Sequence, residues 1–143
     1  MSTDNERGWP ERTDRRARVL IENADSGEAW AMQKLLEGAA YDVQTCGGPD
    51  HLKRHRCPLV TEGKCSLVEG ADVVVHGLNI NRPDQAAVLQ AIRDRHPETP
   101  VVVEVPTPVR AKHAGLLDGF TIVPMPATQA TLTDAVHHAL SGA

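Results

Sequence analysis

The chain has 143 residues, of which 41% are hydrophobic and 24% are charged, and its formal net charge is −4. This length and balance suit one globular domain with its own hydrophobic core, and the negative charge argues against nonspecific binding of nucleic acid. No apolar run approaches the roughly 18 residues that a membrane helix needs, and the polar first residues do not resemble a signal peptide. We therefore expect a cytoplasmic protein that makes no use of a membrane.

Residues 1–16 form the first distinct segment, which is rich in acids and arginines and almost free of aliphatic side chains. Such a composition predicts a disordered N-terminal arm, in which Trp9 is the one sizeable apolar side chain. The folded domain is expected to span residues 17–141.

Short apolar runs alternate with helical patterns along the rest of the chain. Strands are predicted at residues 18–21, 41–46, 71–76, 101–105 and 120–123, and the valine-rich third strand should be buried on both faces. Helices are predicted after a cap at Asp25 or Ser26, and at 50–56, 84–95, 110–117 and 132–140, the last capped by Thr131. This alternation predicts an α/β fold with a doubly wound parallel sheet, whose ligand sites lie beyond the carboxyl ends of its strands.

Several segments resemble the receiver domain of bacterial two-component response regulators. They are Leu35-Leu36 with Tyr41 five residues on, Ala71-Asp72-Val73-Val74-Val75, Thr99-Pro100-Val101-Val102-Val103, and Gly119-Phe120-Thr121-Ile122-Val123-Pro124. The resemblance covers residues 17–141. It implies a flavodoxin-like five-stranded sheet in the order 2-1-3-4-5 and a role in signal transduction.

The resemblance also implies where a phosphorylation pocket would lie. Receivers carry an acidic pair for Mg²⁺ after the first strand, the acceptor aspartate after the third, a Ser or Thr after the fourth and a Lys after the fifth. The matching positions here are Asn23, Ala24, Gly77, Val105 and Val123. None carries the required side chain, so we predict a degenerate receiver that is not phosphorylated, is not an enzyme and acts by binding a protein partner or a second copy of itself.

Two alternatives at this edge of the sheet stay open. Glu22 and Asp25 flank the former acidic pair and could supply a shifted pair of carboxylates. His76, at the end of the third strand, is either a replacement phosphoryl acceptor or a hydrogen-bonded structural residue.

A protein partner is expected on the face made by the fourth and fifth strands and the helices that follow them. Candidate contact groups there are Arg110, Lys112, His113, Asp118, His137 and His138. Within the fourth strand, Glu104 needs a partner if it is buried, and we expect an ion pair with Arg82 or Lys112.

Residues 46–70 depart most from the receiver pattern, because this segment holds all three cysteines of the chain. Cys46, Cys57 and Cys65, with His55 or His51 as a fourth ligand, are candidates for a zinc or iron–sulfur site. Against this, Cys46 and Cys65 are expected near opposite ends of the sheet. The same residues also suit a thiol redox switch, with nearby Lys and Arg lowering the thiol pKa and a Cys57–Cys65 bond on oxidation. The third interpretation is that they are small side chains filling a loop-rich patch.

Overall fold

The computed structural model describes residues 8–49 and 56–142. Its strands are β1 (Arg18–Glu22), β2 (Asp42–Cys46), β3 (Val73–His76), β4 (Val101–Val105) and β5 (Thr121–Pro124). They form one five-stranded parallel sheet in the order β2-β1-β3-β4-β5, which confirms the predicted architecture and strand order. Within these two ranges, no helix is both long enough and apolar enough to cross a membrane.

Helices connect the strands on both sides of the sheet. In the described ranges they are α1 (Ser26–Gly38), α2 (Pro58–Glu62), α3 (Ser66–Gly70), α4 (Pro83–Arg95), α5 (Thr107–Lys112), α6 (Ala114–Leu117) and α7 (Gln129–Leu140). The segment from Cys57 to Gly70 showed no regular pattern in the sequence but contains two short helices. Pro58 lies in the first turn of α2, and Gly63 ends this helix with a left-handed backbone angle φ of 75°. The helix predicted at 50–56 lies almost wholly outside the described residues.

Two helix caps test the sequence signals directly. Asp25 caps α1 as predicted, because its side chain accepts a hydrogen bond of 3.0 Å from the amide of Glu28. The cap predicted for the last helix is wrong by one turn: Thr128 is the N-cap, and Thr131 is the third helical residue that completes the capping box.

The sheet separates the core into two layers, because successive side chains of a strand point to opposite faces. One layer, here called the α4 side, contains Leu20, Val74 and Val103 and packs against α2, α3 and α4. The other, the α1 side, contains Val19, Val75 and their neighbours and packs against α1 and α7. All of β3 is buried, as its continuous valines predicted.

Residues 8–16, the described part of the predicted arm, run past the amino end of β3. The indole Nε1 of Trp9 donates a 2.8 Å hydrogen bond to the carbonyl oxygen of Leu67, and the Arg18 guanidinium lies 5.5 Å from the centre of the Trp9 ring. Arg12 forms a 3.2 Å ion pair with Asp72. Composition gave no indication of these contacts, which attach the arm to α3 and to the start of β3.

Candidate functional site

The carboxyl ends of β1, β3 and β4 meet at one edge of the sheet, and this edge buries polar groups. Glu22 and Glu104 are each 3% exposed, Asn23 is 5% exposed and His76 is fully buried. Burying such groups is unfavourable unless they find partners. Their partners therefore define what this edge can do.

Glu22 and His76 form a buried pair on neighbouring strands. They are register partners, and the Nδ1 atom of His76 lies 3.1 Å from Oε1 of Glu22. The second ring nitrogen, Nε2, is buried without a hydrogen-bond partner in the described ranges. Because the imidazole has no exposed surface, the geometry favours the structural interpretation of His76 over a replacement phosphoryl acceptor.

Gly77, to which the resemblance assigns the acceptor position, is enclosed by polar atoms. A Cβ atom added there would lie 3.0 Å from Nδ2 of Asn23, 3.4 Å from the carbonyl oxygen of Glu22 and 3.5 Å from Oε1 of Glu104. The Gly77 amide also donates a 2.7 Å hydrogen bond to the Glu22 carbonyl. A longer, negatively charged side chain at this position would meet an amide group and a carboxyl group at close range.

Asn23 and Ala24 hold the two positions where receivers place their acidic pair. The Asn23 Oδ1 atom accepts a 2.9 Å hydrogen bond from the Asp25 amide, while Ala24 is exposed. The alternative carboxylate pair is not brought together, since Glu22 is committed to His76 and Asp25 caps α1. Among residues 8–49 and 56–142, no group of three or more His, Cys, Asp or Glu side chains is arranged to hold a metal ion. The Mg²⁺ site that the resemblance implies thus does not fit the side chains present.

Val105 and Val123 hold the last two positions of the implied pocket, and both are buried in the core. Val105 packs on the α4 side and Val123 on the α1 side of the sheet. The fifth strand also continues beyond Val123, since Val105 pairs with Pro124 and its carbonyl accepts a 3.2 Å hydrogen bond from the amide of Met125. Neither valine presents a polar group to the edge.

Glu104 has different partners from those expected. Its Oε2 atom accepts a 3.1 Å hydrogen bond from the Ala127 amide, and Oε1 has no geometric partner in the described structure. The pKa of Glu104 is raised from 4.5 to about 7, mainly by burial and in addition by the neighbouring Glu28 carboxyl group. The predicted ion pair with Arg82 or Lys112 is wrong, since neither cation reaches this carboxyl group.

Glu28 is the residue of this site that the sequence analysis missed. It is the acidic residue in the first turn of α1, the helix that follows β1. A helix that follows a parallel strand begins at the carboxyl edge of the sheet, so its first turn could have been searched for groups facing Glu104. The pair is a contact between elements far apart in sequence, which no local pattern marks.

The three cysteines are free thiols that lie in or against the same core layer, on the α4 side of the sheet. Cys46 ends β2 opposite Glu22, and Cys57 and Cys65 directly precede α2 and α3. The Glu22 charge raises the pKa of all three, and Cys65 and Cys57 raise that of Cys46. The expectation that Cys46 and Cys65 lie at opposite ends of the sheet is therefore wrong. His51 and His55 lie outside the described residues.

The thiols are not activated in the way that a low-pKa redox switch requires. Burial, the largest cause, raises the pKa of Cys46 from 9.0 to about 12, and it also raises the pKa of Cys57 and Cys65. The pKa of each thiol is thus raised, whereas the sequence analysis expected nearby basic residues to lower it, and burial is the largest cause. This result weighs against the thiol-switch interpretation, since the thiolate is the reactive form.

Comparison with known proteins gives relatives by structure but not by sequence. No protein-family model matches the chain, and no curated protein matches it. The fold is similar to the N-terminal signal receiver domain of a two-component response regulator from Bacteroides fragilis, with a TM-score of 0.67, 21% identity, and coverage of 90% of this chain and 100% of that one.

Two further structures show the same likeness. A response regulator receiver domain from Clostridium thermocellum has a TM-score of 0.66 and 19% identity, with 88% of this chain and 95% of that chain covered. The chemotaxis protein CheY4 of Vibrio cholerae has a TM-score of 0.63 and 16% identity, with 87% and 99% covered. At these identities the comparison establishes a receiver-like fold, which agrees with the strand order, and the function has to be argued from the site.

Proposed function

We propose that this protein is a receiver-like signalling module that is not phosphorylated, is not an enzyme and acts by contact with a protein partner in the cytoplasm. The receiver-like fold supports a place in signal transduction. The observation that carries the proposal is the enclosed Gly77: the third strand ends without a nucleophile, in a space bounded by the Asn23 amide and the Glu104 carboxyl group.

The chemistry of phosphoryl transfer supports the same conclusion. The reaction needs a nucleophile, a cation and positive groups that offset the developing negative charge. Gly77 supplies no nucleophile, and the groups around it include the carboxyl group of Glu104 and the backbone carbonyl oxygen of Glu22. A phosphoryl anion placed there would be repelled rather than stabilised.

A contact surface is available at the β4–β5 end of the sheet. Arg110, Lys112 and Asp118 are exposed there, and Met125, at the end of β5, is 38% exposed. On the last helix His137 and His138 are exposed, whereas His113 is half-buried and its Nε2 lies 2.9 Å from Oδ1 of Asn81. Apolar and charged groups side by side suit a protein interface, either with a different protein or with a second copy of this chain.

The proposal is tested by incubating the purified chain with acetyl phosphate and Mg²⁺ and measuring its intact mass. We expect no phosphoryl adduct on the wild-type chain, while an ordinary receiver domain in the same tube is modified. The variant Gly77→Asp is expected to stay unmodified as well, because the acidic pair and the lysine are also absent. A phosphoryl adduct on the wild-type chain would contradict the proposal.

A further inference from the structure

We propose that Cys46, Cys57, Cys65 and His76 bind one metal ion of the zinc class at the carboxyl edge of the sheet, on its α4 side. His76 takes the place of His55 as the fourth ligand. The inference goes beyond the proposed function and does not rest on it, since a domain that is not phosphorylated can be built with or without such a site.

The first argument is placement. Leu20 and Val74 belong to the core on the α4 side, so Glu22 and His76, two residues further along the same strands, face that side too. Cys57 is part of this core layer, and Cys46 and Cys65 pack against it. All four proposed ligands therefore share one face of the sheet, and the charge of Glu22, at its carboxyl edge, acts on all three thiols.

Register brings the imidazole within reach of the first thiol. Cys46 and His76 are the partners of Glu22 on its two sides, in β2 and β3. Neighbouring strands lie about 4.8 Å apart, which places the two Cα atoms roughly 10 Å from each other. A thiolate and an imidazole bridge that span through an ion, since the metal bonds add about 2.3 Å and 2.1 Å to the two side chains.

The second argument is the state of His76 itself. Its Nδ1 is held by the Glu22 carboxyl group, and its Nε2 is buried with no partner in the described part of the chain. A histidine that binds a metal typically gives its other nitrogen to a carboxylate, which fixes the orientation of the ring. An unpaired buried nitrogen is otherwise costly, and a bound ion would satisfy it.

The third argument is that backbone amides near each sulfur favour the negative charge of a thiolate ligand, against the larger opposing effect of burial. The Gly48 amide donates a 3.5 Å hydrogen bond to the Sγ atom of Cys46. Amides two and three residues further along the chain lower the pKa of Cys57 and of Cys65, although burial raises it more. The near-repeat Cys57-Pro58-Leu59 and Cys65-Ser66-Leu67 thus presents two thiols in the same local geometry.

Binding requires the side chains to turn, because as they stand no three of the described Cys, His, Asp and Glu side chains are arranged to hold an ion. A cysteine has one side-chain torsion with three staggered positions, so its sulfur can be redirected without moving the backbone. The enclosed position agrees with a structural site, in which protein ligands fill the whole coordination shell.

The test uses the full chain, purified under reducing, oxygen-free conditions, treated with a chelator and then titrated with Co²⁺. We expect one equivalent to bind with thiolate-to-cobalt charge-transfer absorption and the visible bands of a tetrahedral ion, and Zn²⁺ to displace it. X-ray absorption of the zinc form of the wild-type chain should show three sulfur ligands and one nitrogen ligand. This measurement needs no variant, so it does not depend on whether a variant folds.

Variants then assign the ligands. Replacing Cys46, Cys57 or Cys65 by Ser, or His76 by Gln, should each remove one ligand from the spectrum. Glu22→Gln should leave the ligand set unchanged and weaken binding about 10- to 100-fold, as expected for a positioning residue. His96→Gln is the matched control, because the Nε2 of His96 is also buried without a partner but lies beyond the end of α4.

The inference fails if the reduced wild-type chain binds no Co²⁺, or if the bound ion shows no nitrogen ligand. It also fails if His76→Gln binds the ion like the wild type while His55→Gln does not. The visible absorption of an iron–sulfur cluster, together with acid-labile sulfide in the purified chain, would likewise overturn the inference of a single ion.

Discussion

At the scale of single residues, Gly77 and Glu104 lie side by side, and the absence of a side chain at Gly77 leaves room for the Glu104 carboxyl group. The glycine at the end of β3 leaves space beside it, and Oε1 of Glu104 borders that space, 3.5 Å from where a Cβ atom would be. Glu104 in turn fixes the chain after β5 through the hydrogen bond from the Ala127 amide. Glu104 is thus a buried acid at this edge of the sheet, and its protonation should be visible in the stability of the fold.

The variant Glu104→Gln tests that role. The folded-state pKa of Glu104 is raised from 4.5 to about 7, so the folded protein binds a proton more strongly than the unfolded chain does. Stability should therefore fall as the pH rises between about 4.5 and 7, by on the order of 2–3 kcal/mol, and stay low above that window. Glutamine can still accept the hydrogen bond from the Ala127 amide and carries no charge, so the variant should match the wild type at pH 4 and exceed it at pH 8.

Urea unfolding at a series of pH values measures this difference. Glu98→Gln, at an exposed glutamate in the turn before β4, is the control and should shift stability equally at every pH. If Glu104→Gln is less stable than the wild type across the whole series, then the carboxylate is held by an interaction that the amide cannot reproduce, and the explanation by burial fails.

At the scale of elements, α3 and the arm depend on one glycine. A Cβ atom at Gly70, the last residue of α3, would lie 2.3 Å from Cδ1 of Trp9, whereas one at Gly38, the last residue of α1, would meet nothing within 4 Å. Gly70→Ala should push the indole out of its place and cost about 1–3 kcal/mol of unfolding free energy. Gly38→Ala should be neutral or stabilising by about 0.5–1 kcal/mol.

Fluorescence distinguishes displacement of the arm from a general loss of stability. Trp30 is 61% exposed, so the measurement is best made in a Trp30→Phe background where Trp9 is the one emitter. We expect a red-shifted emission for Gly70→Ala and none for Gly38→Ala. An unchanged spectrum and an unchanged midpoint for Gly70→Ala would mean that Trp9 does not contact α3 as described.

The elements that the sequence predicted are those with local signals. Valine runs predicted β3 and β4, and Asp25 predicted the start of α1, because each signal lies within the element it defines. The contacts of the arm were not predicted, since Trp9 and Leu67 are 58 residues apart in sequence. The start of α7 was missed by one turn because both Thr128 and Thr131 are good capping residues, and the choice between them is made by the packed structure.

At the scale of the whole molecule, the sheet edge holds two polar assemblies on opposite faces. Glu22, His76 and the thiols face the α4 side, whereas Asn23, Gly77 and Glu104 face the α1 side, as the alternation of each strand requires. The sequence located the ends of β1, β3 and β4, and so predicted which positions meet at the edge. The sequence could not show which polar side chains contact each other at this edge, because the Glu22–His76 and Glu28–Glu104 contacts join separate elements.

The two ends of the sheet also offer different contact surfaces, and one experiment separates them. At the β2 end, α1 exposes Trp30 with Lys34 6.0 Å from its ring, and at the β4–β5 end, α5 exposes Lys112. A photocrosslinking residue placed at Lys112 should give specific adducts in cells if the proposed surface is used, and the same residue at Lys34, a comparably exposed lysine, should give none. Because an exposed tryptophan is itself a common anchor of interfaces, adducts at Lys34 without adducts at Lys112 would move the partner to the opposite end of the sheet.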